Sequence, residues 1–160
     1  MLWIILPLII LVGFGIAGFT GAPWLPTRRR DVAQLLDDTN LRKGQIFLEL
    51  GCGDGRLVAA AAKRGAIATG YEINPLLWFI AVLRTVRYYP RAKIHLGSFW
   101  PVDLAKADVV MIFLIQRFMK RFENKAQKQM KHGATLVSYV YRLPTKAPRS
   151  TGLSWFIYRY

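Results

Sequence analysis

The chain has 160 residues, enough for one compact domain with a real core and too few for a second of catalytic size. It is 53% hydrophobic and carries a formal net charge of +14, which favours anionic surfaces and leaves phospholipid and nucleic acid both open. Cys52 is the sole cysteine, so an intrachain disulfide and a thiolate metal cluster are excluded.

No side chain between Met1 and Ala22 is charged. As a helix this stretch would span about 33 Å, against a hydrocarbon core of about 30 Å. Pro7, Gly13, Gly15, Gly18 and Gly21 would break a soluble helix, but a bilayer penalises unsatisfied backbone groups more heavily and so tolerates them. Trp3 and Trp24 stand near the two ends as interfacial anchors, and Gly13, Ala17 and Gly21 share one helix face. Arg28, Arg29 and Arg30 follow the apolar stretch, and no basic side chain precedes it. By the positive-inside rule the remainder of the chain stays cytoplasmic; a cleaved signal peptide would need its basic residues on the other side. The expectation is a single-pass membrane anchor over residues 1–25, followed by one domain over residues 26–160.

After the proline-bounded Pro23-Trp24-Leu25-Pro26, Val32, Leu35 and Leu36 mark a short amphipathic helix with Asp31 as its N-cap. Apolar runs then alternate with helical patterns. Strands are expected at Ile46–Leu50, Ala66–Tyr71, Ala92–Leu96, Val109–Leu114 and Ala134–Tyr141, and helices at Leu57–Lys63, Leu76–Tyr88 and Phe118–Met130. Trp155–Tyr160 is expected as an edge strand, with little chain left for the substrate side. Such alternation predicts an α/β fold, a mostly parallel sheet with helices on both faces.

The sharpest local signal is Glu49-Leu50-Gly51-Cys52-Gly53-Asp54-Gly55, at the junction of the first strand and its helix. Glycines at alternate positions let the backbone turn sharply and pass close to a ligand. Arg56 occupies the place where a dinucleotide fingerprint has its third glycine, and no Lys-Ser/Thr pair follows to form a P-loop, which disfavours a pyrophosphate cradle. Glu72 ends the second strand about twenty residues after the first glycine, where such folds place a ribose-binding carboxylate.

The acidic-x-Gly-x-Gly-x-Gly motif with Gly70-Tyr71-Glu72 behind it resembles the first two motifs of the Rossmann-like S-adenosylmethionine methyltransferases. Pro-Trp-Leu-Pro-Thr, Glu-Leu-Gly-Cys-Gly-Asp-Gly-Arg, Gly-Tyr-Glu-Ile-Asn-Pro and Gly-Ser-Phe-Trp, in that order after a hydrophobic segment, are similar to the membrane-associated family that includes the ATP synthase c-subunit lysine methyltransferases and their prokaryotic relatives. The resemblance implies a Rossmann-like fold with S-adenosyl-L-methionine across the carboxyl ends of the strands. It assigns cofactor contacts to Glu49, Gly51, Gly53, Asp54 and Gly55 in the turn, which faces the methionine part, to Glu72 at the ribose and Ile73 at the adenine face, and to Ser98 and Phe99 at the adenine edge. Many relatives carry an acid where Ser98 stands.

Methyl transfer from a sulfonium asks chiefly for alignment and a water-poor pocket. A lysine acceptor, of ordinary pKa about 10.4, must first lose a proton. The carboxyl end of the fourth strand, Phe113 to Gln116, is expected to line the acceptor side, with Gln116 as the polar catalytic candidate or a solvated helix residue. Asp108 is expected to be structural, and Tyr139 and Tyr141 to be core residues or to flank the pocket mouth by cation–π contact. The absent Asn/Asp-Pro-Pro-aromatic motif disfavours nucleic acid, and His95 and His132 have no partner at metal-ligand spacing. Arg117, Lys120, Arg121, Lys125, Lys128 and Lys131 form a basic face, solvated or set against anionic headgroups. The leading expectation is a membrane-anchored methyltransferase acting on a lysine of a protein at or near the membrane. The alternatives are a lipid or small hydrophobic acceptor, and a non-catalytic membrane-associated module.

Overall fold

A computed structural model describes residues 27–160. The anchor expected over residues 1–25 lies outside them, and among the described residues no helix is long and apolar enough to cross a membrane.

In chain order the elements are α1 (Arg29–Asp38), β1 (Ile46–Leu50), α2 (Arg56–Lys63), β2 (Ile67–Glu72), α3 (Pro75–Thr85), a 3-10 turn (Val86–Tyr88), β3 (Ala92–Leu96), β4 (Val109–Ile112), α4 (Gln116–Gln129), β5 (Thr135–Tyr139), β6 (Ser150–Thr151) and β7 (Trp155–Arg159). They form one seven-stranded sheet in the order β3-β2-β1-β4-β5-β7-β6. The first five strands are parallel, β7 runs antiparallel to β5, and β6 antiparallel to β7. This is a Rossmann-like, mostly parallel α/β fold. Strand order reverses between β1 and β4, and in such sheets the crevice at the carboxyl ends beside the reversal is where ligands bind.

Two apolar clusters cover the sheet. Leu35 and Leu36 of α1, Leu57, Val58, Ala61 and Ala62 of α2 and Ala81 of α3 pack on one face. Met119, Phe122 and Ala126 of α4 pack on the other with Leu48, Val110 and Leu136. The β4 run Val-Val-Met-Ile is buried throughout, as a strand covered on both faces must be.

Three expectations need correction. Asp31 does not cap α1: it sits inside the first turn, and its carboxylate accepts a 2.9 Å hydrogen bond from Tyr139 Oη, tying α1 to β5. Tyr139 is therefore a core residue, the first of the two readings its sequence left open, with its ring edge-on to Phe113. Trp155–Arg159 is not an edge strand, because Ser150–Thr151 pairs outside it; the chain closes with a hairpin, and that end of the sheet is not abbreviated. The single helix expected over Leu76–Tyr88 divides into α3 and the 3-10 turn. Asn74 Oδ1 caps α3 by accepting from the Leu76 and Leu77 amides, with Pro75 in the first helical position, and Pro90 disfavours helix at the residue before it.

Candidate active site

β1 delivers Glu49 to its carboxyl end, and the chain then reverses through Gly51, Gly53 and Gly55, all at positive φ. The Gly51 and Cys52 amides both donate to the Tyr71 carbonyl of β2 at 2.9 and 2.8 Å, which fastens the turn to the neighbouring strand. Gly55 is required twice over: its φ is +73°, and a Cβ there would lie 2.8 Å from the Ala81 Cβ of α3. Gly51 is different, since a Cβ on it would meet nothing within 4 Å, so the front of the turn is open.

Three carboxylates stand in or beside this turn, in three electrostatic states. Glu72, at the end of β2, accepts from the Gly53 amide through Oε2 and from the Asn74 amide through Oε1, both at 2.8 Å. Burial raises its pKa, with those backbone donors opposing. Asp54 is ion-paired to Arg56 at 2.6 Å and to Arg84 at 3.0 Å. Burial alone would raise its pKa, but the hydrogen bonds of Arg56 and the charges of both arginines outweigh it and hold Asp54 low. Glu49 is buried, and among the described residues its Oε2 has no hydrogen-bond partner. Burial, then the charge of Asp54, push its pKa well above the usual carboxylate range.

An unpartnered buried carboxylate oxygen costs free energy unless a donor or a cation reaches it. The turn thus offers one unsatisfied acidic group beside an open, glycine-lined surface. Cys52 is buried, and burial with the neighbouring carboxylates pushes its thiol pKa well up, which disfavours the nucleophilic thiolate.

The remaining candidates are distributed around the same end of the sheet. Ile73 is half-buried directly after Glu72. Ser98 is exposed, and its Oγ accepts from the Trp100 amide at 3.3 Å. Phe99 is buried with its ring 5.0 Å from that of Trp100. Gln116 is the first residue of α4 and is exposed, following β4 from the strand-reversal side. Asp108 lies at the opposite end of β4, accepting from the Ile46 amide at 2.7 Å and pairing with Lys131 at 2.7 Å, a structural role. His95 stacks on Tyr71, and among the described residues no cluster of His, Cys, Asp and Glu would hold a metal.

Val140, just past β5, escapes sequence reasoning. Its φ is +72°, a region costly for a β-branched side chain, and Tyr141 N donates to Tyr139 O across it. Ser138 Oγ holds the turn by donating to Tyr141 O at 2.6 Å. A valine between two tyrosines reads as strand, so nothing local announces this turn at the carboxyl end of β5.

The chain is 32% identical over 131 residues to an ATP synthase c-subunit lysine N-methyltransferase of Rattus norvegicus, covering 81% of this chain and 60% of that protein, so it spans less than two thirds of the relative. It is 32% identical over 125 residues to a protein-lysine N-methyltransferase of Saccharolobus islandicus (strain REY15A), covering 76% of this chain and 78% of that one. An RNA methyltransferase from Salinibacter ruber, crystallised with S-adenosyl-L-homocysteine, superposes with a TM-score of 0.79 at 23% identity over 84% of this chain and 93% of its own, a likeness of fold. Residues 49–150, from the unpartnered Glu49 through the glycine turn, Glu72 and α4 to the start of β6, match the ANTKMT methyltransferase domain, and the chain belongs to that family.

Proposed function

We propose that this chain is an S-adenosyl-L-methionine-dependent protein-lysine N-methyltransferase acting on a protein at or near a membrane. The observation that carries the reading is Glu49 Oε2, buried and unpartnered beside the open face of the glycine turn. That oxygen suits the cationic α-amino group of the cofactor's methionine part. Glu72 suits the ribose: the Gly53 and Asn74 amides fix its two oxygens at the end of β2, and a carboxylate so held still has acceptor capacity for a hydroxyl. Ile73, Ser98 and Phe99 are the residues proposed for the adenine, while Asp54, already spanned by two arginines, is proposed to hold the turn's shape.

The bound cofactor would supply an electrophilic methyl group on a sulfonium. The protein's own part is to orient and to exclude water. Phe113, Leu114 and Ile115, half-buried or buried after β4, provide the apolar wall against which a lysine amine is desolvated, and desolvation favours the neutral, nucleophilic amine. Gln116 is the proposed polar group beside that amine. The relatives' names support lysine as the acceptor, and the uncharged stretch Met1–Ala22 supports a membrane tether with the domain on the cytoplasmic side.

The test is transfer of labelled methyl from S-adenosylmethionine into membrane fractions separated into protein and lipid. Label recovered as methyllysine supports the reading, label in lipid overturns the acceptor, and failure of the folded chain to bind the cofactor calorimetrically overturns the enzyme.

A further inference from the structure

The outward face of α3 is the one apolar surface of the sheet's helices left without a cover among the described residues. Leu76, Phe79, Leu83 and Val86 recur at helical spacing along it and are 41, 53, 59 and 64% exposed. Tyr89 continues the stripe at 73%. Large side chains in such a line mark a surface that meets something other than water.

Two observations identify what it meets. The first is charge. From Pro75 to Gly97 the chain has no acidic side chain, and besides Arg84, which pairs with Asp54, it carries Arg87, Arg91 and Lys93. Apolar side chains bordered by arginine, lysine and tyrosine match an anionic bilayer surface, where the first enter the acyl boundary and the others meet headgroups. The second is where the chain arrives. Thr27 is the first described residue, and its carbonyl accepts from Arg56 Nη1 at 2.7 Å. Arg56 pairs with Asp54, which pairs with Arg84 of α3. The described chain therefore begins at a residue linked through Arg56 and Asp54 to Arg84 of α3.

We infer that α3 is a second lipid contact, lying in the headgroup region of an anionic membrane with Leu76, Phe79, Leu83 and Val86 inserted. The inference rests on the membrane placement proposed above and adds an orientation to it. Glu72 and Asn74 immediately precede α3, so the candidate site opens within one helix length, about 16 Å, of the lipid surface. A lysine emerging from a membrane protein would meet the site without unfolding from the bilayer. α4 packs its apolar face on the opposite side of the sheet, so its exposed basic face is no part of this surface.

The test uses the full chain with equal parts phosphatidylcholine and phosphatidylglycerol in vesicles. Phe79→Cys, Leu83→Cys and, on α4, Lys128→Cys are each labelled with bimane; Cys52 is buried, and the wild-type chain reports any label it takes up. All three positions are exposed, so the variants should melt with the wild type. The expected result is quenching by nitroxide-bearing lipid severalfold stronger at 79 and 83 than at 128. Quenching of 79 and 83 only by aqueous iodide overturns the inference, as does protection from both quenchers, which would place protein over the stripe: residues 1–22 or a second copy. Flotation of the unlabelled chain separates the two readings: a chain that floats with α3 in water keeps the tether and loses this contact, while one that does not float loses both.

Discussion

The two ends of β1 and β4 handle an acidic side chain in opposite ways, half-buried Asp108 at one and buried Glu49 at the other. At the amino end, Asp108 is satisfied by the Ile46 amide and Lys131, and its pKa is lowered because these interactions outweigh burial. At the carboxyl end, Glu49 keeps an oxygen without a partner, and burial drives its pKa up. The same sheet thus has one end closed by its own interactions and another left incomplete. An incomplete buried acid lowers the stability of the free protein and is tolerable where a cationic ligand completes it.

The contrast can be broken most severely at Glu72. Glu72→Ala removes the acceptor for the Gly53 and Asn74 amides, and hydrogen bonds to a charged group contribute about 1.5–3 kcal/mol each. Affinity for S-adenosylmethionine should fall by about a hundredfold or more in calorimetric titration, since about 1.4 kcal/mol is a factor of ten. Unchanged affinity would remove Glu72 from the site.

Glu49→Gln should weaken the cofactor by about tenfold, one charge-assisted contact, while leaving the free protein as stable or more so. Its pH dependence sharpens the point. The native pKa of Glu49 is raised, so its contribution to stability is fully present below the unfolded value and is lost as pH rises through the folded one. A cationic ligand prefers the ionised form, so wild-type affinity should increase with pH across that raised range, and the glutamine variant should show a flatter profile. Equal slopes in the two proteins would refute the assignment.

At the satisfied end, Asp108→Ala should cost about 1–3 kcal/mol in chemical denaturation and leave cofactor affinity unchanged. Here the sign reverses: with a lowered native pKa, Asp108's contribution is present above the unfolded value and lost as pH falls through the folded one. The smallest effect is expected at Val140. Val140→Gly relieves a left-handed φ, and the folded state should gain or hold stability within about 1 kcal/mol because glycine's greater unfolded-state entropy offsets the relief. A loss in methyl transfer without a loss in stability would assign that turn to the acceptor side.

Most of the architecture was legible because it is local. Apolar runs of strand length alternate with helical patterns, and Ala92–Leu96 and Ile46–Leu50 fall where their composition put them. The glycine turn was equally plain, since only glycine serves where φ is positive and α3 crosses 2.8 Å away. Boundaries were less so: α4 begins two residues before its apolar period does, because Gln116 and Arg117 are helical but face water. The capping role expected of Asp31 failed through a contact spanning the sequence from residue 31 to residue 139, which no local pattern encodes.

The sequence by itself determined the alternating α/β order, the glycine turn, the acid at the end of β2 and the uncharged first segment. Each depends on residues near one another in the chain, through periodicity, backbone freedom or hydropathy. Tertiary structure alone decided that Asp54 is spent on two arginines while Glu49 is left wanting a partner, that Trp155–Arg159 lies inside the sheet, and that the apolar face of α3 stays exposed. These are outcomes of which groups folding brings together and which it leaves unpaired, and that pairing is set by strand order and helix placement rather than by neighbours in sequence.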